Sequence, residues 1–131
     1  MKPRILTVDD EEEMTELIAF SLGAAGYEVE QAHDGAEALE KAQKNRPDLI
    51  VLDVMLPEID GFSVCEILRK TPATAKIPVI LLTGWATESA RVIGLESGAN
   101  DYMVKPFSTR ELVLRVGNLL GTPPRRREEK P

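Results

Sequence analysis

Residues 48–53 read DLIVLD: an aliphatic run, Leu49–Leu52, fenced by acids and ending on the carboxylate of Asp53. A run this short, apolar at every position and without alternation, is the pattern of a strand buried on both faces, as in the middle of a parallel sheet. Three similar runs lie to either side of it. Arg4–Val8 (RILTV) leads into Asp9 and Asp10, Ile77–Leu82 (IPVILL) into Thr83, and Tyr102–Val104 (YMV) into Lys105 and Pro106. In an open α/β sheet, ligands bind beyond the carboxyl ends of the strands. Three carboxylates, a hydroxyl and an ammonium, scattered along the chain, are therefore expected to meet at one rim.

The stretches between the runs read as helices. Helix one, 12–25, carries Met14, Leu17, Ile18, Leu22 and Ala25 at helical spacing and is closed by Gly26. Strand two is Tyr27–Ala32. Helix two opens at Asp34 with Glu37 three residues on, a capping-box spacing, and must stop before Pro47. A Pro57–Gly61 turn precedes helix three, which runs to Lys70 with Phe62, Val64, Cys65, Ile67 and Leu68 as core candidates. Strand four spans 77–83, helix four 87–97 up to Gly98, and strand five 101–105. Helix five starts at the Ser108–Glu111 capping box and ends at Gly121. Crossovers between parallel strands are right-handed, so five βα units imply a doubly wound three-layer sandwich. Residues 1–121 form one domain on this reading. Residues 122–131 (TPPRRREEKP), with nothing apolar to bury, read as a flexible tail or linker stub.

With 43% hydrophobic and 29% charged residues among 131, the chain is globular. Its longest aliphatic run is far short of the roughly 20 residues a membrane span requires. The amino terminus, MKPRILTVDD, meets acids before a signal-peptide core could form. Cys65 has no partner for an internal disulfide. Together these predict a soluble, cytoplasmic domain. Net charge is −6; the tail contributes +2, leaving −8 on residues 1–121. An acidic body does not suit direct contact with a nucleic-acid backbone, and it suits cations.

Acids at Asp9 and Asp10 continue through Glu11, Glu12 and Glu13. Compensation of a helix macrodipole accounts for the glutamates. It does not account for acids at the end of strand one, where a phosphate-binding loop needs backbone amides and no negative charge. That argues against a flavodoxin-like electron carrier. Asp53 on the adjacent strand brings a third carboxylate whose repulsion a cation would relieve. All-oxygen ligands with no histidine or cysteine nearby favour Mg²⁺. Lys105 can neutralise an anion held beside such a metal, and Thr83 offers a hydroxyl. A metal-dependent phosphatase with an aspartyl nucleophile would present a second acid two residues on, where this chain has Met55.

Asp9-Asp10, Asp53 within LDVMLPEIDG, Thr83-Gly84 and Lys105-Pro106-Phe107 together resemble a response-regulator receiver domain of two-component signalling, over residues 4–120. The resemblance implies a five-stranded parallel sheet of order 2-1-3-4-5 with five helices, an order for which a receiver is among the known examples. It implies that Asp53 accepts a phosphoryl group from a phosphohistidine on a sensor histidine kinase or a histidine phosphotransfer protein. Asp9, Asp10, Asp53 and the Met55 carbonyl would position Mg²⁺, Lys105 would bridge to the phosphoryl oxygens, and Thr83 would hydrogen-bond one of them. The Lys105–Pro106 bond would be cis, and Tyr102 would be an aromatic switch. Such a domain is a signalling switch that assists its own phosphorylation and dephosphorylation rather than an enzyme acting on an external substrate.

Residues 91–116 further resemble the winged-helix transcription-factor branch, whose helix 4–strand 5–helix 5 face makes a symmetric dimer. Arg91, Asp101, Glu111 and Arg115 occupy its charged positions, and Val92 and Leu95 its apolar ones. Asn100 and Thr122 stand where an acid and a base are common, so one pair is missing. Glu111 and Arg115, at i,i+4, could equally pair with each other. A homodimer on phosphorylation is one expectation; a stand-alone shuttle or protein-binding module is the alternative. Met55, Gly84 and Trp85 would flank the phosphoryl group, the two bulky side chains either shielding it from water or, for Trp85, packing on the surface of helix four. His33 reads as a loop residue and Cys65 as core.

Overall fold

The computed structural model describes residues 2–121. The proposed tail, with Thr122, lies outside the described residues. The elements follow in strict alternation: β1 (Arg4–Val8), α1 (Glu12–Ala24), β2 (Glu28–Ala32), α2 (Gly35–Asn45), β3 (Leu49–Asp53), α3 (Gly61–Lys70), β4 (Val79–Thr83), α4 (Glu88–Glu96), β5 (Asp101–Val104) and α5 (Thr109–Leu120). All pairings are parallel, in the order β2-β1-β3-β4-β5. Strand order reverses between β1 and β3, which places a crevice above the ends of those two strands.

β3 is buried at all five positions, as its unalternating sequence requires. Its odd and even side chains enter two different cores. Ile50 and Leu52 join Leu6, Val64, Leu68 and Leu81 on the α2–α3–α4 side. Leu49 and Val51 join Ile5, Ile18, Leu22, Ile80 and Leu112 on the α1–α5 side. These are the outer layers of the sandwich. No described helix is long and apolar enough to cross a membrane.

Local chemistry sets the element ends. Asp34 and Ser108 cap α2 and α5 through the amides of Glu37 and Glu111, as their spacing predicts. In α2 the reciprocal bond differs: Glu37 reaches back to the amide of His33, one residue before the cap. Gly26, Gly98 and Gly121, expected to end helices, all have positive φ. Strand four starts at Val79 rather than 77. Pro78 has no amide to give a ladder, although its carbonyl accepts from Ile50. Three expected core positions are corrected. Leu17 is 48% exposed and Ile67 41%, while Ala25 is the exposed C-cap of α1. The buried positions of α1 and α3 are Thr15, Ile18, Leu22 and Gly61, Val64, Cys65, Leu68. Leu17 and Ile67 each stand one residue, or 100° of helix, from a fully buried neighbour.

The turn after β3 depends on Gly61. A Cβ there would lie 2.5 Å from the Asp53 carbonyl oxygen and 2.7 Å from Val54 Cα, both backbone, while the Gly61 amide donates to the Val54 carbonyl at 2.9 Å. Neither neighbour can step aside without moving Asp53. Gly61→Ala is therefore expected to destabilise the domain by about 1–3 kcal/mol, the range of core overpacking, read as a lower urea midpoint at unchanged m-value.

At the opposite end of β4 a staple sets the position of α4. Arg69 of α3 donates through Nε to the Gly98 carbonyl (2.9 Å), through Nη1 to the Ile77 carbonyl (2.7 Å) and through Nη2 to Asn100 Oδ1 (2.9 Å). Asn100 Oδ1 also accepts from the Val79 amide at 2.9 Å. Asn100, which the sequence presents as a gap in a charged pattern, thus joins α3 to the start of β4.

Candidate functional site

The register of the sheet brings the carboxyl ends of four strands to one rim. Val8 pairs with Leu52, Asp53 with Leu82, and Thr83 with Val104. The residue that follows or ends each strand is therefore delivered to the same depth, and the five scattered residues converge. Asp9 and Asp53 are buried, Asp10 is exposed, and one carboxylate oxygen from each lies within 4.8 Å of the other two. Lys105 extends from beyond β5 and places Nζ 3.3 Å from Asp9 Oδ2 and 3.3 Å from Asp53 Oδ1. The Lys105–Pro106 peptide is cis.

Charge balance here is incomplete. One ammonium, in contact with Asp9 and Asp53, serves a cluster of three carboxylates. Burial pushes the Asp53 carboxyl up from its ordinary 3.8 to about 6; the neighbouring Asp9 charge pushes the same way, and Lys105 only partly opposes them. Lys105 loses hydration, which favours its neutral form, but Asp53 and Asp9 outweigh that and hold it above its ordinary value. Asp9 Oδ1 accepts from the Glu11 amide at 2.9 Å, and Asp53 Oδ1 from the Met55 amide at 3.4 Å. A cluster of oxygens with residual negative charge and an open side at Asp10 can hold a divalent cation, and its donors fit a hard ion.

The response regulator receiver domain profile matches residues 5–117. The chain belongs to that family. The alkaline phosphatase synthesis transcriptional regulatory protein PhoP of Bacillus subtilis is 50% identical over 120 residues, covering 92% of this chain and 49% of its own length. The DNA-binding dual master transcriptional regulator RpaA of Synechocystis is 46% identical over 118 residues, covering 90% and 49%. A response-regulator crystal structure from Chloroflexus aurantiacus superposes with a TM-score of 0.88 at 44% identity, covering 92% of this chain and 99% of that one. The resemblance to the transcription-factor branch agrees with these relatives. The chain spans about half the length of the curated relatives it matches. Receivers are signalling domains that take their input from histidine kinases.

In this receiver Thr83 is fully buried and its Oγ1 accepts from the Trp85 amide at 3.1 Å. Tyr102 is 7% exposed and turned inward, donating from Oη to the Trp85 carbonyl at 3.0 Å. Burial pushes its phenol up, and the Thr83 hydroxyl pulls the other way. Gly84 is exposed, and Met55 and Trp85 are half exposed. The Trp85 indole leans on Phe62 of α3, with ring centroids 6.2 Å apart at 37°.

On the α4–β5–α5 face, Arg115 pairs within the chain, with Asp101 at 2.5 Å and with Glu111 at 2.7 Å. Val92, Leu95 and Val104 are exposed beside them. Arg91 is exposed too and has no ion pair among the described residues. His33 follows β2 and lies 3.6 Å from the Glu37 carboxylate, and Cys65 is core. Periodicity did not single out Arg69 or Gly61. Their roles come from contacts between elements, which leave no repeat in the sequence.

Proposed function

We propose that this receiver is a phosphorylation-activated switch in which Asp53 accepts a phosphoryl group from a histidine kinase or histidine phosphotransfer protein. The observation that carries the reading is the placement of Lys105 Nζ at equal distance from two buried carboxylates, one of them Asp53. An Asp53 oxygen attacks phosphorus, the phosphorus–nitrogen bond of the donor breaks, and the imidazole leaves with the bonding pair. Lys105 moves from the carboxylates to the equatorial oxygens as charge builds on them. Thr83, whose oxygen accepts from the Trp85 amide, keeps its own proton to donate to a phosphoryl oxygen. Asp9, Asp10, Asp53 and the Met55 carbonyl are the proposed Mg²⁺ ligands. When bound, the ion supplies charge neutralisation and orients the incoming phosphoryl group. Met55, Gly84 and Trp85 flank the group, and the two large side chains hinder in-line water.

The output follows from the same residues. Drawing Thr83 toward the phosphoryl group alters the β4–α4 loop that Tyr102 contacts, and with it the α4–β5–α5 face. Arg91, Val92, Leu95, Asp101, Glu111 and Arg115 are the proposed dimer residues, with the Asp101–Arg115–Glu111 pairs shared between copies on association. Relatives twice as long that are transcriptional regulators support a role as the input half of such a regulator.

Incubation with a small acyl phosphate and Mg²⁺ should add one phosphoryl mass to the intact protein, suppressed by chelator and lost in Asp53→Asn. The labelled sample should sediment as a dimer. Labelling that survives in Asp53→Asn removes the assignment of the acceptor, and a labelled sample that stays monomeric removes the dimer.

A further inference from the structure

Gly94 stands inside α4, where glycine disfavours the helix about fivefold relative to alanine. It is not among the glycines with positive φ, so the backbone does not call for it. Tyr102 does. A Cβ on Gly94 would lie 2.8 Å from Cδ1 and 3.0 Å from Cε1 of Tyr102, and 3.2 Å from Leu81 Cδ1. Carbon atoms ordinarily pack at about 3.5–4.0 Å, so one edge of the ring lies where a side-chain carbon would otherwise be. The other end of the ring is held by its bond to the Trp85 carbonyl. Fully buried Leu81 on β4 closes the third side.

We propose that Gly94 is a positioning residue for Tyr102: its missing Cβ makes the seat for the ring, so this chain holds Tyr102 inward before any phosphoryl group arrives, as a fixed support of the β4–α4 loop rather than a part that turns. The proposal deepens the switch reading above and rests on it for its meaning, though the seat itself is a matter of packing. A two-state element responds to a ligand only as far as its states differ in energy and population. With the inward state already favoured by the seat and by the Trp85 carbonyl, phosphorylation has little left to do at the ring. Its effect falls instead on Thr83 and the loop. A Cβ at position 94 would push the ring further into the groove that it already lines together with Arg91, Val92, Leu95 and Val104. The ring would then cover apolar surface of the proposed output face. One methyl group would thereby couple the switch to that surface.

The test is a double-mutant cycle in the full chain, Gly94→Ala with Tyr102→Ala, read by urea unfolding. In the parent, Gly94→Ala should raise the unfolding equilibrium constant tenfold or more. In the Tyr102→Ala background it should lower that constant about fivefold, as helix propensity alone requires. Equal effects in the two backgrounds overturn the proposal. If Gly94→Ala does not fold, recovery of the fold in the double variant supports the seat, and failure of both overturns it. By NMR, the unphosphorylated parent should show cross-peaks between Tyr102 ring protons and Gly94 Hα, with ring shifts little changed by acyl phosphate and Mg²⁺. In Gly94→Ala the ring signals should start displaced and move toward the parent positions on phosphorylation. Absence of the cross-peaks without phosphodonor, or parent-like ring signals in Gly94→Ala, overturns the proposal. If Asp53 takes no label, the cycle and the cross-peaks still decide the seat, and the switch reading falls alone.

Discussion

Lys105→Met should slow labelling of Asp53 by a small acyl phosphate by about a hundred- to a thousandfold, the loss typical when one preorganised donor to a developing oxyanion is removed. Methionine keeps the length and packing of the stem and removes only the ammonium. In the resting site that ammonium is shared between Asp9 and Asp53 at 3.3 Å each, so it lies where an oxygen added to Asp53 would come within its reach. The same substitution should leave Mg²⁺ binding intact or tighter, because it removes a positive charge from a cluster of three carboxylates. The two effects point in opposite directions, which makes the result diagnostic. Intact-mass time courses at several Mg²⁺ concentrations give the rate, and the rise of Tm with Mg²⁺ gives the binding. A rate that is unchanged at saturating Mg²⁺ would sink the role given to Lys105. A loss of rate that Mg²⁺ restores would mean that Lys105 serves metal binding instead.

The same distances show which parts of the site a sequence can reveal. Asp9, Asp10, Asp53, Thr83 and Lys105 are legible because each closes an apolar run, and a parallel sheet delivers run ends to one rim whatever their separation in sequence. Their convergence is a consequence of topology. Strand ends, helix caps and the closing glycines are legible for a related reason: each is a local chemical event within four residues. Leu17 and Ile67 fail because apolar character marks an arc of a helix and not its edge, and only packing decides where the arc ends. Asn100 and Gly94 fail differently. Asn100 looks like a missing charge until Arg69, 31 residues earlier, is seen to use its carbonyl oxygen. Gly94 looks like a weak point in a helix until the Tyr102 ring is seen to occupy the space of its side chain. Both are pairings across elements of unlike type, and no period in either element records them.

Asp53→Asn should raise the stability of the metal-free domain by about 2–3 kcal/mol above pH 7, and the gain should vanish near pH 4. The sign follows from proton linkage. The carboxyl titrates near 3.8 when unfolded and at about 6 when folded, because burial and the Asp9 charge disfavour its ionised form. Below pH 3.8 it is protonated in both states and imposes no penalty. As pH rises through 6, the folded state must give up a proton it would rather keep, and stability is lost. The difference between 3.8 and about 6 corresponds to about 3 kcal/mol at 1.36 kcal/mol per pH unit. Asparagine has no ionised form and escapes the loss while keeping the shape of the side chain. For a domain of this size the gain appears as a rise in Tm of roughly 4 °C per kcal/mol. Mg²⁺ should reverse the order: it stabilises the parent by binding the ionised cluster and does less for the variant, which has lost one ligand charge. Thermal melts of both proteins at pH 4, 6 and 8, with and without Mg²⁺, separate these effects. A parent that is the more stable of the two at pH 8 without metal would mean that Lys105 neutralises the cluster fully. The site would then have no charge deficit to draw in a cation, and the carboxylate would owe its nucleophilic readiness to something other than the crowding of Asp9 and Asp53.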